Sequence, residues 1–351
     1  MTRTRTKFRI ATVLDKDYVL DFCKNTFSWG DYIERVWDLW IREPNSIFLV
    51  AVVNENNIEK PIAISHGILI PEKIIWIEGI RVDPKYRSQK LATNMSLHIL
   101  DYAKKRGAIY SSAIVSINNE PSKALMEKLG FKVISTWSYL SIKPIVLLPS
   151  ESHNFIEDNS ATTTKIANLK DYQLILDFLN QSYIFKTSGK KFVNSWRWYD
   201  LTEDRLEKMI NNRQVIILVN NNDDIKNNDN NNNNNNIDNK NGEGEGEDIE
   251  KEENKIRGLV IIEEEGYWNN QNIFQIVYID AASDEILLSL VIKCLEIITL
   301  KENKNKNNKY SENKYERAQI FSPSPIKDNS LIFQKFSVNF SEQFLLYHKE
   351  I

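Results

Sequence analysis

Apolar and polar residues follow two periods along the chain. Alternation at every second residue predicts strands, and apolar positions three and four residues apart predict amphipathic helices. In the first half, these patterns predict helices at 31–42, 91–105 and 122–129 and strands at 46–53, 61–70, 73–82, 108–117 and 131–142. The same order returns in the second half, with helices at 203–211, 285–300 and 329–336 and strands at 214–219, 257–264, 273–280, 316–321 and 338–347.

A short repeat supports this duplication. Residues 9–22 (RIATVLDKDYVLDF) and 165–178 (KIANLKDYQLILDF) align without gaps, and each copy predicts a strand, a turn at an Asp and an amphipathic helix. We therefore predict an α/β (α+β) protein built from two mixed-sheet units: a first domain over 1–148, a linker over 149–162 and a second domain over 163–351. Chance similarity between two α/β units is the alternative.

Two polar tracts interrupt the second half. Residues 220–255 are rich in Asn and acids and have no hydrophobic period, which predicts a disordered insert. Residues 301–314 form a shorter polar loop of opposite charge. The first tract holds 11 acidic residues and 4 lysines, and the 351-residue chain has a net charge of −3, so the remainder carries +4. The part predicted to fold is therefore mildly basic.

The composition excludes several classes of protein. Two cysteines, Cys23 and Cys294, are too few for a disulfide framework or a multi-cysteine metal site. No apolar run reaches the roughly 18 residues that suggest a membrane span, and the net charge gives no case for nucleic acid. We expect a cytoplasmic protein with no metal, no nucleic acid and no membrane partner. The basic first ten residues are also compatible with a short mitochondrial presequence, and the sequence leaves the oligomeric state open.

The stretch 76–95 (WIEGIRVDPKYRSQKLATNM) predicts an anion site. It alternates as a strand until Asp83-Pro84 stops it, and a helix follows from Leu91. Unpaired N–H groups and the positive dipole end of this helix meet a basic turn. The basic residues of the turn are Lys85, Arg87 and Lys90. Such a site suits a pyrophosphate, and a solvated basic turn is the alternative.

Two segments resemble signatures of the GCN5-related N-acetyltransferase (GNAT) superfamily. Residues 87–92 (RSQKLA), after the strand end 80–84 (IRVDP), resemble its acetyl-CoA pyrophosphate loop R/Q-x-x-G-x-G/A. Residues 119–131 (NEPSKALMEKLGF) resemble its element N-x-x-A-x-x-L-Y-x-x-x-G-F, in which Asn caps a helix beside the pantetheine arm and Gly ends it. The resemblance implies tandem GNAT-like domains, with acetyl-CoA as co-substrate. The cofactor-binding residues that it implies are Ile80, Val82, Arg87, Ser88, Gln89, Lys90, Leu91, Ala92, Asn119 and Ser122.

More narrowly, the layout resembles tandem acetyltransferases related to vertebrate histidine N-acetyltransferase. The matching segments are 31–44, 78–82, 278–281 and 341–346. This implies a small amine acceptor, such as the α-amino group of free histidine, and a degenerate second domain. Consistent with that, residues 278–285 (YIDAASDE) lead into a helix without a basic turn, so we expect no CoA binding there.

Two departures from the family pattern stand out. Lys90 replaces the first Gly of the loop, which implies a hindered backbone approach that the ammonium group could offset by pairing with phosphate. Met126 replaces the Tyr that reprotonates the CoA thiolate in many members. Either Tyr110 or Tyr139 protonates the thiolate in its place, or the thiolate leaves unassisted.

The resemblance implies direct attack of the amine on the thioester in a ternary complex. We predict Glu78 as the base, because strand parity places it on the face of Ile80 and Val82; a salt-bridged structural acid is the alternative. His66, on the neighbouring strand, is the second candidate, and packing is its alternative. Backbone N–H groups of Ile80 and Val82 are expected to polarise the thioester carbonyl.

An aromatic-rich stretch predicts either a wall of the acceptor site or core packing. Its members are Phe27, Trp29, Tyr32, Trp37 and Trp40. Asp31 or Glu34 would hold a cationic acceptor if not simply solvated. The predicted function is an acetyl-CoA-dependent N-acetyltransferase for a small amine. A protein or peptide N-acetyltransferase and a catalytically impaired GNAT-fold binding module are the alternatives.

Overall fold

The computed structural model describes residues 6–27, 30–143, 162–220, 255–263, 273–304 and 317–351. Its strands are β1 (Lys7–Ile10), β2 (Ser46–Glu55), β3 (Ile58–Ile70), β4 (Ile74–Val82), β5 (Tyr110–Ser116), β6 (Lys132–Ile142), β7 (Thr162–Ile166), β8 (Lys191–Asn194), β9 (Arg197–Asp200), β10 (Val215–Asn220), β11 (Ile256–Glu263), β12 (Ile273–Ala281), β13 (Arg317–Ser322) and β14 (Val338–Glu350). Its helices are α1 (Lys16–Cys23), α2 (Ile33–Trp40), α3 (Leu91–Lys105), α4 (Glu120–Lys128), α5 (Tyr172–Gln181), α6 (Tyr183–Thr187), α7 (Glu203–Asn211), α8 (Asp284–Lys304) and α9 (Leu331–Lys335). None of these helices is long and apolar enough to cross a membrane.

The chain divides into two compact units, Met1–Ile134 with Phe344–Ile351, and Ser135–Gln343. In the first unit the strand order is β1-β2-β3-β4-β5 and then the end of β14, with β4 and β5 parallel. In the second unit the order is the end of β6 and then β13-β12-β11-β10-β7, with β12 and β13 parallel. Each unit therefore contains a mixed sheet, which confirms the predicted α/β (α+β) class.

The core of the first unit lies between its sheet and α3. Residues 47–53 of β2 and 61–68 of β3 are buried, as expected for strands that are covered on both faces. Helix α3 occupies the predicted residues, and its Met95 and Ile99 are fully buried against this sheet. The strand that carries the predicted site, β4, is therefore held between β3 and β5 on a rigid support.

The repeat is confirmed as a duplicated local structure. In the first copy, Asp15 accepts a hydrogen bond from the backbone N–H of Thr12 at 2.8 Å and pairs with Arg9 at 2.8 Å, just before α1. The second copy repeats these contacts before α5 with Asp171, Asn168 and Lys165. A carboxylate at this position satisfies a free N–H group at the start of the helix.

The last strand of each half of the sequence pairs within the unit formed by the other half. Phe344–Glu350, at the end of β14, pairs with β5 inside the first unit. Residues 138–142 of β6 pair with β13 inside the second unit. The sequence pattern also missed α6 and the hairpin β8–β9, because five residues span little more than one helical period and four residues span only two strand periods.

Several predictions fall on residues outside the described ranges. These are the linker 149–162 apart from its last residue, the insert 220–255 apart from its two end residues, and Trp29. Of the polar loop 301–314, residues 301–304 belong to α8 and the rest is not described. The domain boundaries at 148 and 163 therefore remain a prediction.

Candidate active site

A β-bulge in β4 shapes the candidate site. His66 of β3 pairs with Glu78, but Ile64 pairs with Arg81, so β4 holds one extra residue between them. Gly79 within the bulge has φ +65°, a backbone conformation that favours glycine. The bulge re-aims the side chains that follow it.

One consequence corrects a prediction. Strand parity placed Glu78 on the same face as Ile80 and Val82, and this is wrong. Ile80 and Val82 pack against the core beneath α3, whereas Glu78 contacts His66. The extra residue of the bulge reverses the alternation between Glu78 and Ile80, and no period in the sequence reveals it.

The strands β4 and β5 part after a short parallel ladder. The ladder joins Ile74–Trp76 to Tyr110–Ser112. Further along β4, the N–H of Asp83 donates to the carbonyl of Ile62 on β3 at 2.9 Å. Because successive N–H groups point to opposite edges of a strand, those of Ile80 and Val82 point away from β3, towards the side on which β5 has diverged.

The loop after β4 is exposed and holds two residues in left-handed conformation. Asp83 accepts a hydrogen bond from the N–H of Lys85 at 2.9 Å, which closes a turn at Pro84. Ser88 has φ +63° and Lys90 has φ +61°. The exposed side chains of the loop are Arg87, Ser88, Gln89 and Lys90, and Leu91 and half-buried Ala92 begin α3.

Lys90 lies in the left-handed region, which favours glycine. It is the N-cap of α3, with φ +61° and ψ +17°. A non-glycine residue in this region costs about 1–2 kcal/mol. The first N–H groups of the 15-residue helix α3 remain directed at the loop.

The helix after β5 is capped as predicted. The Asn119 side chain accepts a hydrogen bond from the N–H of Ser122 at 3.2 Å, and Gly130, with φ +81°, follows the end of α4. Met126 is only 2% exposed and belongs to the core of the first unit. The residue at the position of the family's Tyr thus serves packing.

Glu78, His66 and Glu43 form a buried cluster. Nδ1 of His66 lies 3.0 Å from Oε1 of Glu78, and Nε2 lies 3.6 Å from Oε2 of Glu43. The His66 side chain has no exposed surface, while those of Glu43 and Glu78 are 10% and 15% exposed. The ring stacks on Trp40 with centroids 4.5 Å apart and planes 3° apart. The structure thus brings both predicted base candidates together.

These three side chains offer ligand atoms within 4.8 Å of one another, so of the described residues they are the ones that could hold a metal ion. However, each carboxylate faces a different nitrogen of the one ring. This arrangement suits proton sharing better than a common ligand position. The sequence analysis missed Glu43, which follows α2 in a turn where no hydrophobic period points to it.

Arg81 and Asp31 form a second buried pair beside this cluster. Nε and Nη2 of Arg81 donate to the two carboxylate oxygens of Asp31 at 2.7 and 3.1 Å. The guanidinium lies 5.0 Å from the ring of Phe27 and 5.1 Å from that of Tyr32. Asp31 is therefore engaged by Arg81 instead of being open to a cationic acceptor. Burial raises the pKa of Tyr32, so its phenol stays protonated.

The aromatic stretch is mainly packing. Trp37 and Trp40 are 0% and 2% exposed, and both lie edge-on to Phe48 of β2. Tyr32 contacts Trp40 with ring centroids 6.2 Å apart. Core packing, the alternative interpretation, thus holds for Trp37 and Trp40.

Tyr139, the predicted acid, belongs to a different unit from Glu78. Tyr139 lies on β6 in the second unit, where its hydroxyl accepts a hydrogen bond from Gln319 at 3.0 Å. Burial raises its pKa. Its role as an acid remains a prediction.

The corresponding region of the second unit carries carboxylates. Oδ2 of Asp280, near the end of β12, accepts hydrogen bonds from Ser182 and Tyr278 at 2.5 and 3.1 Å. Burial raises the pKa of Asp280 in spite of these hydrogen bonds. Asp284, the first residue of α8, accepts hydrogen bonds from Ser330 and the N–H of Leu331 at the start of α9. An acidic cap thus stands where the first unit has its basic loop.

Comparison with known proteins identifies the class. The model of the acetyltransferase (GNAT) family matches residues 14–131. A GCN5-related N-acetyltransferase from Sphaerobacter thermophilus is similar at 10% identity over 98% of this chain and 95% of its own, with a TM-score of 0.55. A GCN5-related N-acetyltransferase from Kribbella flavida is 11% identical, over 99% of this chain and 71% of its own, with a TM-score of 0.40. PaiA N-acetyltransferase from Thermoplasma acidophilum, solved with coenzyme A, is 19% identical over 37% and 91%, with a TM-score of 0.30. No curated protein matches the chain.

The fold and the family match define an acetyltransferase. Residues 14–131 form an acetyltransferase domain of the GNAT family. The predicted enzyme class, N-acetyltransferase, is thereby confirmed. Since the similarity to the Sphaerobacter structure extends over almost the whole chain, the fold that it shows includes the second unit.

Proposed function

We propose that the first unit transfers the acetyl group of acetyl-CoA to the amine of a small acceptor. One observation carries this proposal. The strand β4 separates from β5 after Trp76 and leads into an exposed, left-handed basic loop at the N-terminus of α3. A helix N-terminus with such a loop suits a pyrophosphate.

In this proposal the loop binds the two phosphates of acetyl-CoA. Arg87 and Lys90 supply positive charge, and the backbone N–H groups of Ser88 to Ala92 donate to phosphate oxygens. The N–H groups of Ile80 and Val82 hold the pantetheine and the thioester carbonyl. Asn119 and Ser122 fix the start of α4 beside the same arm.

The reaction is a direct transfer. The amine nitrogen attacks the thioester carbonyl carbon, the C–S bond breaks, and CoA leaves as the thiolate. Glu78 accepts the proton of the attacking amine, because its side chain is the most exposed member of the cluster and is hydrogen-bonded to His66. Since Met126 is buried, the thiolate takes its proton from water or from another group.

We propose a free amino acid, such as histidine, as the acceptor. The carboxylates of Glu43 and Glu78 favour an approaching ammonium, whereas Asp31 is already neutralised by Arg81. Peptide N-termini and lysines are the competing acceptors. The second unit takes no CoA in this proposal, because Asp284, which accepts hydrogen bonds from the Ser330 hydroxyl and the N–H of Leu331, would repel phosphate.

The test starts from the full chain and acetyl-CoA. We expect saturable binding by titration calorimetry, followed by thiol release when free amino acids are supplied and none with peptides of matching termini. Glu78→Gln should abolish release while leaving acetyl-CoA binding within about twofold. Asp38→Asn, which removes an exposed carboxylate on α2, is the control.

Each outcome decides something. No binding of acetyl-CoA would refute the proposed function. Binding without transfer to any acceptor would identify a binding module on the same fold. Transfer to peptides in preference to amino acids would replace the proposed acceptor and keep the chemistry.

A further inference from the structure

The imidazole of His66 is held in one orientation. Trp40 stacks on one face with planes 3° apart, and Phe48 meets the ring edge-on with centroids 5.7 Å apart and planes 85° apart. A ring flip would have to open this packing, because the side chain has no exposed surface. The two nitrogens therefore keep their separate partners.

Each nitrogen of this fixed ring faces its own carboxylate. Glu78 lies 3.0 Å from Nδ1, which fits a hydrogen bond. Glu43 lies 3.6 Å from Nε2, and Nε2 makes no hydrogen bond to the described residues. Glu43 is thus the nearby acceptor for a proton on Nε2.

We propose that Glu43 is a positioning residue for acetyl transfer and acts through His66. This inference rests on the proposed function, in which Glu78 takes the amine proton. With Glu43 beside Nε2 and Glu78 beside Nδ1, the ring carries a proton on each nitrogen. Its Nε2–H points at Glu43, and its Nδ1–H donates to Oε1 of Glu78. That hydrogen bond keeps the carboxylate of Glu78 in one rotamer.

The charges around the ring assign this role to Glu43. Within the described part of the chain, the ring contacts from α2 and β2 are with the uncharged rings of Trp40 and Phe48, and from β4 the ring contacts Glu78. The nearby Arg81–Asp31 pair is internally neutralised, and Tyr32 is kept protonated by burial. Among the described residues, Glu43 is thus the anion on the Nε2 side.

The test compares Glu43→Gln with the unaltered full chain. We expect kcat to fall about 10- to 100-fold, while the Kd of acetyl-CoA, measured by calorimetry, stays within twofold. The midpoint of the acid limb of the kcat–pH profile should move to lower pH, because removing an anion weakens proton binding by the cluster. Glu43→Asp should recover part of kcat, and Asp38→Asn, which removes an exposed carboxylate on α2, should change neither quantity.

Four results would overturn this inference. If Glu43→Gln keeps kcat and the pH profile while Glu78→Gln is inactive, Glu43 has no role and the proposed function stands. If kcat falls together with the thermal midpoint and the profile does not move, the role of Glu43 is structural. If EDTA abolishes activity and Zn²⁺ restores it, the three residues form a metal site. Absence of transfer by the unaltered chain would refute the proposed function and this inference together.

Discussion

Gly79 lies directly against the indole ring of Trp40. A Cβ added at Gly79 would overlap two carbon atoms of that ring, and the residue also has φ +65°. The same ring supports His66 on its stacked face. The bulge of β4 and the orientation of the candidate base His66 therefore both depend on the close contact between Gly79 and the Trp40 ring.

Gly79→Ala should damage both stability and catalysis. The left-handed conformation alone disfavours Ala by about 1–2 kcal/mol, and displacing the Trp40 ring adds overpacking of about 1–3 kcal/mol. We expect a drop in the thermal midpoint and a lower kcat at saturating substrates. Gly107→Ala is the matched control, since Gly107 has φ +80° but a Cβ added there would meet no atom of the described residues within 4 Å. Equal effects of the two substitutions would show that Trp40 does not constrain the bulge.

Arg87→Glu should weaken acetyl-CoA binding. Arg87 is exposed in the loop at the start of α3, and a carboxylate there would repel a pyrophosphate. Loss of a charge-assisted hydrogen bond of about 1.5–3 kcal/mol predicts a rise in KM of roughly 10- to 100-fold. Lys85→Glu makes the same charge change in the preceding turn and should alter KM by less than about threefold. An unchanged KM for Arg87→Glu would mean that the pyrophosphate binds elsewhere.

Lys90→Gly separates backbone shape from charge. Glycine relieves the unfavourable left-handed conformation at position 90. The free energy of unfolding of the first unit, measured in urea, should therefore rise by up to about 1 kcal/mol. The Kd of acetyl-CoA should nevertheless increase, because the ammonium is lost. Lys90→Ala removes the ammonium and keeps the penalty, so it should weaken binding without stabilising. Tighter binding by Lys90→Gly would show that the Lys side chain hinders the cofactor.

The fold could be predicted because it depends on local periods. Helix α3 and helix α7 begin and end at the residues that the pattern predicted, since each has a long apolar stripe. The anion loop was found because Asp83-Pro84 and the basic turn are contiguous in sequence. Which residues of neighbouring strands lie opposite each other could not be predicted in this way. The contact of His66 with Glu78 depends on the register of β3 on β4 and on the bulge at Gly79, and neither produces a periodic pattern in the sequence.

Glu43 was missed for a related reason. Glu43 is not part of a periodic apolar pattern, and its partner His66 is 23 positions away in sequence. Only the folded structure brings the two residues together. The exchange of end strands was equally hidden, because β6 and β14 have similar patterns and sequence order favours pairing within each half.

The Arg9–Asp15 pair predicts a pH dependence of stability. Burial acts to raise the pKa of Asp15, but hydrogen bonds from Arg9 and Thr12 outweigh it, and the pKa is lowered overall. The pair thus stabilises the fold above the unfolded pKa of about 3.9, and this contribution is lost as the pH falls through the lower folded pKa. Asp15→Asn should therefore lower the thermal midpoint at pH 7, with the difference shrinking below about pH 4. Asp38→Asn, which removes a surface pair with Lys16, should have little effect at either pH.

The C-terminal strand should be needed for the first unit to fold. Phe344–Glu350 pairs with β5, and its Leu346 and Tyr347 are 0% and 1% exposed. Removing residues 344–351 would expose β5 and take two large side chains out of the core, each contributing about 1.5–3 kcal/mol. We expect this truncation, and the fragment 1–148, to lose acetyl-CoA binding and the cooperative melting of the first unit. Leu346→Asp should do the same in the full chain, whereas Glu350→Gln at the exposed strand end should not. A fragment 1–148 that binds acetyl-CoA with full affinity would show that β14 is dispensable and that β6 can close the sheet of its own half.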